Sequence, residues 1–322
     1  MGRYVLSRAG SSLLVLLGAS IILFAVIRLI PGDPITILLG SANIVNPELV
    51  AKARAEYQLD APIPLQYLSW LGHVIQADFG RSLVTTEPVS AIVGRRLGPS
   101  LLLGVAASTL GLLLGLTWGV AAGYLTGARR SFLRNAPMLM LVIPSFSIGL
   151  LLVFIFAVTL GVLPASGIAS PLEGTDPSIP SALAHLVLPA LALCLVPASL
   201  VARLTYATID EVEQEEFIRT ARALGVPPLR IAIQHSLPNV LLPIITTGGL
   251  LVSALITNAV LIETVFSWPG IGTMMISAVQ QRDYPLVQAG IIVVAFVYVV
   301  SSFAVDALYL VADPRVRTPA QE

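Results

Sequence analysis

Six stretches of the chain run without charge through their centres, at about 9–28, 99–125, 137–163, 182–203, 237–262 and 286–311. A bilayer core about 30 Å thick takes about 20 helical residues, so each stretch predicts one membrane-spanning helix. The fold expected is an all-α integral membrane protein with six spans in a single domain, 1–322. An even number of spans returns both termini to the same side.

Two longer intervals break the pattern. The 29–98 connection is too long for slack loop and predicts an external or interfacial region with helices of its own. One opens with Asn46 as N-cap and Pro47 at the first helical position, with Val50, Ala53 and Tyr57 following. A second sets Leu65, Leu68, Leu71, Val74 and Ile75 along one face and Tyr67 and Trp70 where a membrane–water interface suits them. The region reads either as a surface for a soluble partner or as a cap over the spans. The other interval, 210–236, is crowded with charge, glycine and proline.

Within the second span, Gly111, Gly115, Gly119, Gly123 and Gly127 recur every four residues. Helices in lipid associate by close packing, and small residues at that spacing open a groove for a neighbour. The neighbour can belong to this chain or to another.

Composition sharpens the membrane reading. Of 322 residues, 56% are hydrophobic and 11% charged, against roughly 25% charged in a soluble domain. The 18 basic and 18 acidic residues cancel, and nothing in that balance points to nucleic acid. Basic residues cluster, with Arg3 and Arg8, then Arg129, Arg130 and Arg134, then Arg203, Arg219, Arg222 and Arg230, and finally Arg315 and Arg317 on one side. The positive-inside rule makes that side, and both termini, cytoplasmic. The first span is longer than a signal-peptide core and reads as a retained anchor. The single cysteine, Cys194, reads as a small buried hydrophobe.

Several chemistries are excluded. The only lysine, Lys52, follows Ala51, so the lysine-containing phosphate loop of ATPases is absent. His73, His185 and His235 are too far apart for a paired-histidine metal motif, and no serine elbow occurs. His185 reads as a hydrogen-bonded interfacial residue. No ionisable group occupies the centre of a span, which disfavours an ion-coupled carrier. We single out Thr257 and Asn258 in the fifth span as candidates to line a pathway. Pro144, Pro189, Pro197 and Pro243 are candidates for kinks.

The chain therefore reads as a conduit powered from outside itself. The 210–236 interval offers the handle. Asp210 and Glu213 stand at capping spacing, and Phe217, Ala221 and Leu224 form an apolar stripe, with Glu216, Arg219 and Arg222 off it. Gly225 ends the helix, and Pro227 and Pro228 stop it from resuming. Thr220, Ala221 and Ala223 leave room for a partner, and the arginines can pair with its carboxylates. The same helix could instead lie on an anionic leaflet.

The interval resembles the cytoplasmic signature of ABC importer permeases, written E-A-A-x-x-x-G-x9-I-x-L-P. Arg219, Thr220, Ala221 and Gly225 are followed by His235, Ser236, Leu237 and Pro238. The alanine, glycine and Leu-Pro match; the glutamate and isoleucine do not. "RLIPGDP", "PLQYLSWL", "ADFGRSL" and "ETVFSWPGIG" are similar to the B-type permease of oligopeptide and dipeptide importers. The resemblance implies a type I ABC importer permease fold with a coupling helix between the fourth and fifth spans. It implies ATPase coupling by Phe217, Arg219, Thr220, Ala221, Arg222, Leu224, Gly225, Leu237 and Pro238. It implies a homologous second permease subunit, two cytoplasmic ABC ATPases or one fused chain, and an extracytoplasmic peptide-binding protein. The setting implied is the bacterial cytoplasmic (inner) membrane. This chain would need no cofactor, and ATP and Mg would be used by the partner ATPases. Nickel or another small solute is the alternative cargo of the same machinery; a secondary transporter or channel is a more distant reading.

Overall fold

The computed structural model describes residues 2–29, 61–168 and 178–312. The described residues are almost entirely helical, and their only bridge pairing joins Arg81 to Pro88. The helix expected from Asn46 onward lies outside them. In chain order the helices are α1 (Gly2–Leu29), α2 (Ile63–Ile75), α3 (Val89–Tyr124), α4 (Gly127–Val142) and α5 (Ser145–Leu152). α5 runs on as a π-helical segment, Val153–Thr159. Then come α6 (Ile179–Val212), α7 (Glu216–Ala223), a helical turn Pro228–Ile231, a π-helical segment Ala232–Ser236, α8 (Leu237–Val265), α9 (Ile271–Gln280) and α10 (Tyr284–Ala312).

Segments within α1, α3, α6 and α10 are long and apolar enough to cross a membrane. α8 has 29 residues, about 44 Å at helical rise, although several of its side chains fall outside the description. The expected third span is not a single helix. α4 and the α5 segment are bent by 103° at their junction. Pro144 explains the break: it disfavours helical backbone at the preceding residue, and Ile143 is extended at φ −77 and ψ 125. Pro189, Pro197 and Pro243, by contrast, sit inside continuous helices.

The chain divides into two compact units. One combines the described residues before Gly98 with Met274–Val299; the other holds Gly98–Thr273 and resumes at Val300. In the first unit, α2 turns its aromatic side onto α1. Phe24 meets the Tyr67 ring edge-on at 5.3 Å and Trp70 at 5.7 Å, and Ser20 Oγ lies 2.8 Å from the Tyr67 hydroxyl. On the aliphatic face, Leu65, Leu68 and Ile75 are exposed. Asp283 is buried and accepts from Ser82 Oγ and, at 3.2 Å, from Leu83 N.

The second unit is organised by the glycine stripe. A Cβ on Gly115 would lie 2.5 Å from Val201 Cβ, one on Gly119 2.4 Å from Thr205 Cβ, and one on Gly123 2.9 Å from Ile209 Cγ2. One on Gly111 would lie 3.2 Å from Pro197 Cβ. Both helices advance four residues per contact, which is i±4 ridges meeting i±4 ridges with α3 and α6 running parallel. The neighbour is thus in this chain. Gly127 is not on the stripe: α3 has ended at Tyr124, and Gly127 serves the turn into α4 at φ +65. Cys194 is buried in the same core, its Sγ 3.3 Å from Leu191 O.

A Gly119→Ala replacement is expected to cost about 2 kcal/mol or more by overpacking, read as a lowered Tm of the detergent-purified protein. Gly104→Ala is the control, because a Cβ there meets nothing within 4 Å, and its Tm is expected not to fall.

Candidate functional site

α7 forms where the charged interval was expected to hold a helix, over Glu216–Ala223. Gly225 closes it at φ +79, donating its N–H to Arg222 O at 2.9 Å while Val226 N reaches Ala221 O at 3.1 Å. Those two bonds satisfy end-of-helix carbonyls and require the left-handed conformation that glycine adopts without strain. Val226 and Ala221, brought together by that turn, pack on a small buried cluster of Val212, Ile218 and Ile231.

The anchoring residue is Ile218, fully buried, and it was missed in the sequence because the stripe was drawn one position away. Phe217 and Leu224 of that expected stripe are 48% and 79% exposed. Arg219, Thr220 and Ala223 are exposed beside them. α7 therefore inserts Ile218 and Ala221 into its own chain and presents Phe217, Arg219, Thr220 and Leu224 outward. The Phe217 ring also meets His235 edge-on at 5.8 Å.

The charges differ from expectation in two respects. Asp210 does not cap α7; it lies within α6 and its carboxylate accepts from Arg130 at 2.9 Å and from Arg134 at 2.6 Å. Arg134 also stands over the Tyr206 ring, 5.2 Å from its centroid. Arg222, expected to face a partner, forms an ion pair with Glu213 of this chain. Leu237 and Pro238 open α8 directly after the π-helical segment. The preceding residue, Ser236, is buried with its Oγ 2.9 Å from the Tyr124 hydroxyl at the end of α3.

The pathway candidates fare differently. The Thr257 side chain lies outside the described residues. Asn258 Oδ1 accepts from Ser145 Oγ at 3.2 Å, which ties α8 to the start of α5 at the Pro144 break. His185 Nδ1 lies 2.8 Å from Ser181 O, as expected of a hydrogen-bonded residue.

At the far end of α8 is a polar cluster not recognised as such from the sequence. Glu263 is 1% exposed. Its Oε1 accepts from Ser100 Oγ at 2.6 Å and its Oε2 from Gly272 N at 2.7 Å and Thr273 N at 3.2 Å. Ser100 Oγ in turn accepts from Ile271 N at 2.8 Å, and Trp268 Nε1 donates to Pro99 O at 3.0 Å. The carboxylate fills the space beside Gly270, where a Cβ would lie 2.2 Å from Glu263 Cδ. The "PGIG" glycines are thus the footprint of Glu263, a signal present in "ETVFSWPGIG" but read there only as resemblance.

These features place two polar junctions at opposite ends of α3 and α8, about 36–40 Å apart by helical rise, with an uncharged glycine-packed bundle between them. The sequence profile described as binding-protein-dependent transport system inner membrane component matches residues 115–318. The chain belongs to that family. The corresponding profile for the N-terminal part of such membrane components matches residues 1–103. The permease is 36% identical over 335 residues to the di/tripeptide transport system permease DppB of Pseudomonas aeruginosa, covering 98% of each chain. It is 36% identical over 339 residues to the dipeptide permease DppB of Escherichia coli, covering 98% of this chain and 99% of that one. It is 33% identical over 322 residues to the oligopeptide permease AppB of Bacillus subtilis, covering 98% and 99%. The structure of the inward-facing MetNI methionine ABC transporter matches with a TM-score of 0.54 at 16% identity, over 71% of this chain and 100% of that one. The permease is a multi-pass membrane protein with the type I ABC importer permease fold.

Replacing Glu263 by Leu leaves the Gly272 and Thr273 amides without their acceptor. A loss of about 3 kcal/mol is expected, seen as a lower Tm. Glu263→Gln, which keeps one accepting oxygen, is expected to lose less.

Proposed function

We propose that this permease forms half of the translocation pathway of an ATP-driven importer of short peptides. The observation that carries the reading is the 36% identity to dipeptide permeases over 98% of the chain. α7 is the coupling helix, received by a groove on a cytoplasmic ABC ATPase. Its exposed Phe217 and Leu224 supply apolar contact, Thr220 close approach and Arg219 an ionic contact. Gly225 is a positioning residue, since its turn sets the angle of α7, and Leu237 and Pro238 begin the span that leaves this platform.

The partners are a homologous second permease subunit, a pair of ATPase domains on one chain or two, and an extracytoplasmic binding protein that delivers peptide. ATP and Mg are used by the ATPases. The protein resides in the bacterial cytoplasmic membrane, with both termini and α7 on the cytoplasmic side. The arginines around α4 and α7 support that orientation. Alternating access follows from rigid movement of the bundle as the ATPases close and open.

Purification of the full complex from its native membrane tests the reading. An ATPase pair and a second permease are expected to co-purify, and vesicles holding the complex are expected to take up peptide only with ATP and binding protein. Gly225→Trp is expected to abolish both uptake and binding-protein-stimulated ATP hydrolysis. If both activities survive that substitution, the coupling role of α7 is wrong.

A further inference from the structure

The C-terminal end of α6 carries Asp210 and Glu213 one helical turn apart, where the helix dipole disfavours negative charge. Each is held by arginine from a different element. Asp210 binds Arg130 and Arg134 of α4, and Glu213 binds Arg222 of α7. The Glu213 side chain is 17% exposed, and its second oxygen is buried without a hydrogen-bond partner. Its charge is therefore offset chiefly by Arg222. Arg219, three residues earlier on α7, makes no side-chain hydrogen bond or ion pair among the described residues.

We propose that Glu213 and Arg222 form the intrachain link through which movement of α7 reaches α6, so that Arg222 is a positioning residue and Arg219 the ionic contact left for the ATPase. The inference rests on the coupling reading of α7 and assigns different roles to its two arginines. Three features support it. Ile218 of α7 is buried against Val212, the last residue of α6, beside the ion pair, so apolar and ionic contacts act at one joint. Asp210 extends the joint to α4 one turn back. α6 itself is packed against the glycine stripe of α3 along four contacts, so displacement of its end is delivered to the bundle and not absorbed by slack. An arginine committed to Glu213 has its charge already matched, and an ATPase carboxylate would have to displace that partner to use it.

The test is charge reversal within the chain, in the complete transporter reconstituted in vesicles, with uptake normalised to the amount of complex. Glu213→Arg and Arg222→Glu are each expected to lower peptide uptake per ATP hydrolysed about tenfold, and the double reversal to return it to within about threefold of the original. A double variant as impaired as the singles, or an Arg222→Glu variant without effect, overturns the proposal. Should a reversal fail to accumulate in the membrane, Arg222→Gln replaces it, with the same loss of coupling expected and unchanged coupling overturning the link. A parallel Leu224→Cys variant is cross-linked to the ATPase. Absence of a cross-link counts against the coupling reading itself. A cross-link together with failed rescue removes only the Glu213–Arg222 link.

Discussion

Close approach of α3 to α6 is the constraint on which the second unit depends. Lipid tails are as apolar as leucine, so no hydrophobic gain draws two apolar helices together inside a bilayer. What joins them is dispersion between atoms in contact, and that gain needs the backbones near each other. Four glycines at i±4 spacing permit this, and Pro197, Val201, Thr205 and Ile209 fill the groove they leave. α6 becomes the member against which α4, α5 and α8 of that unit are placed.

The carboxylate clusters described above lie at the ends of that bundle, and helix electrostatics explains their form. Glu263 lies near the C-terminal end of α8, where the local dipole is unfavourable, but it faces the first amides of α9, which attract an anion. Asp210 and Glu213 have no such amides and use guanidinium groups. The same difficulty, a carboxylate at a helix C-terminus, thus has two solutions: backbone donors at one end and arginines at the other.

Much of this was legible in the sequence. Four of the charge-free runs fall on helices long and apolar enough to cross a membrane, the four-residue glycine period marked a packed helix, and Gly225 with two prolines bounded α7 within two residues. The rest was hidden for several reasons. In water an apolar face must be buried, but beside lipid it need not be, and α2 exposes Leu65 and Leu68 while its aromatics pack on α1. Likewise α7 hides Ile218 and displays Phe217 and Leu224, because both faces carry apolar residues and pattern alone does not say which is inward. Pro144 was a candidate kink without a direction. Glu263 escaped notice because a hydroxyl 163 residues away and two backbone amides, all of which it accepts from, leave no charge pattern in the sequence.

The hydrogen bonds at the two extremities of α3 and α8 have a mechanical corollary. Ser100 meets Glu263 at one extremity and Tyr124 meets Ser236 at the other. A piston stroke of either helix along its axis would sever both bolts at once, one of them to a buried carboxylate. Sliding one helix past the other has to break both contacts, whereas a joint tilt of the two leaves them in place.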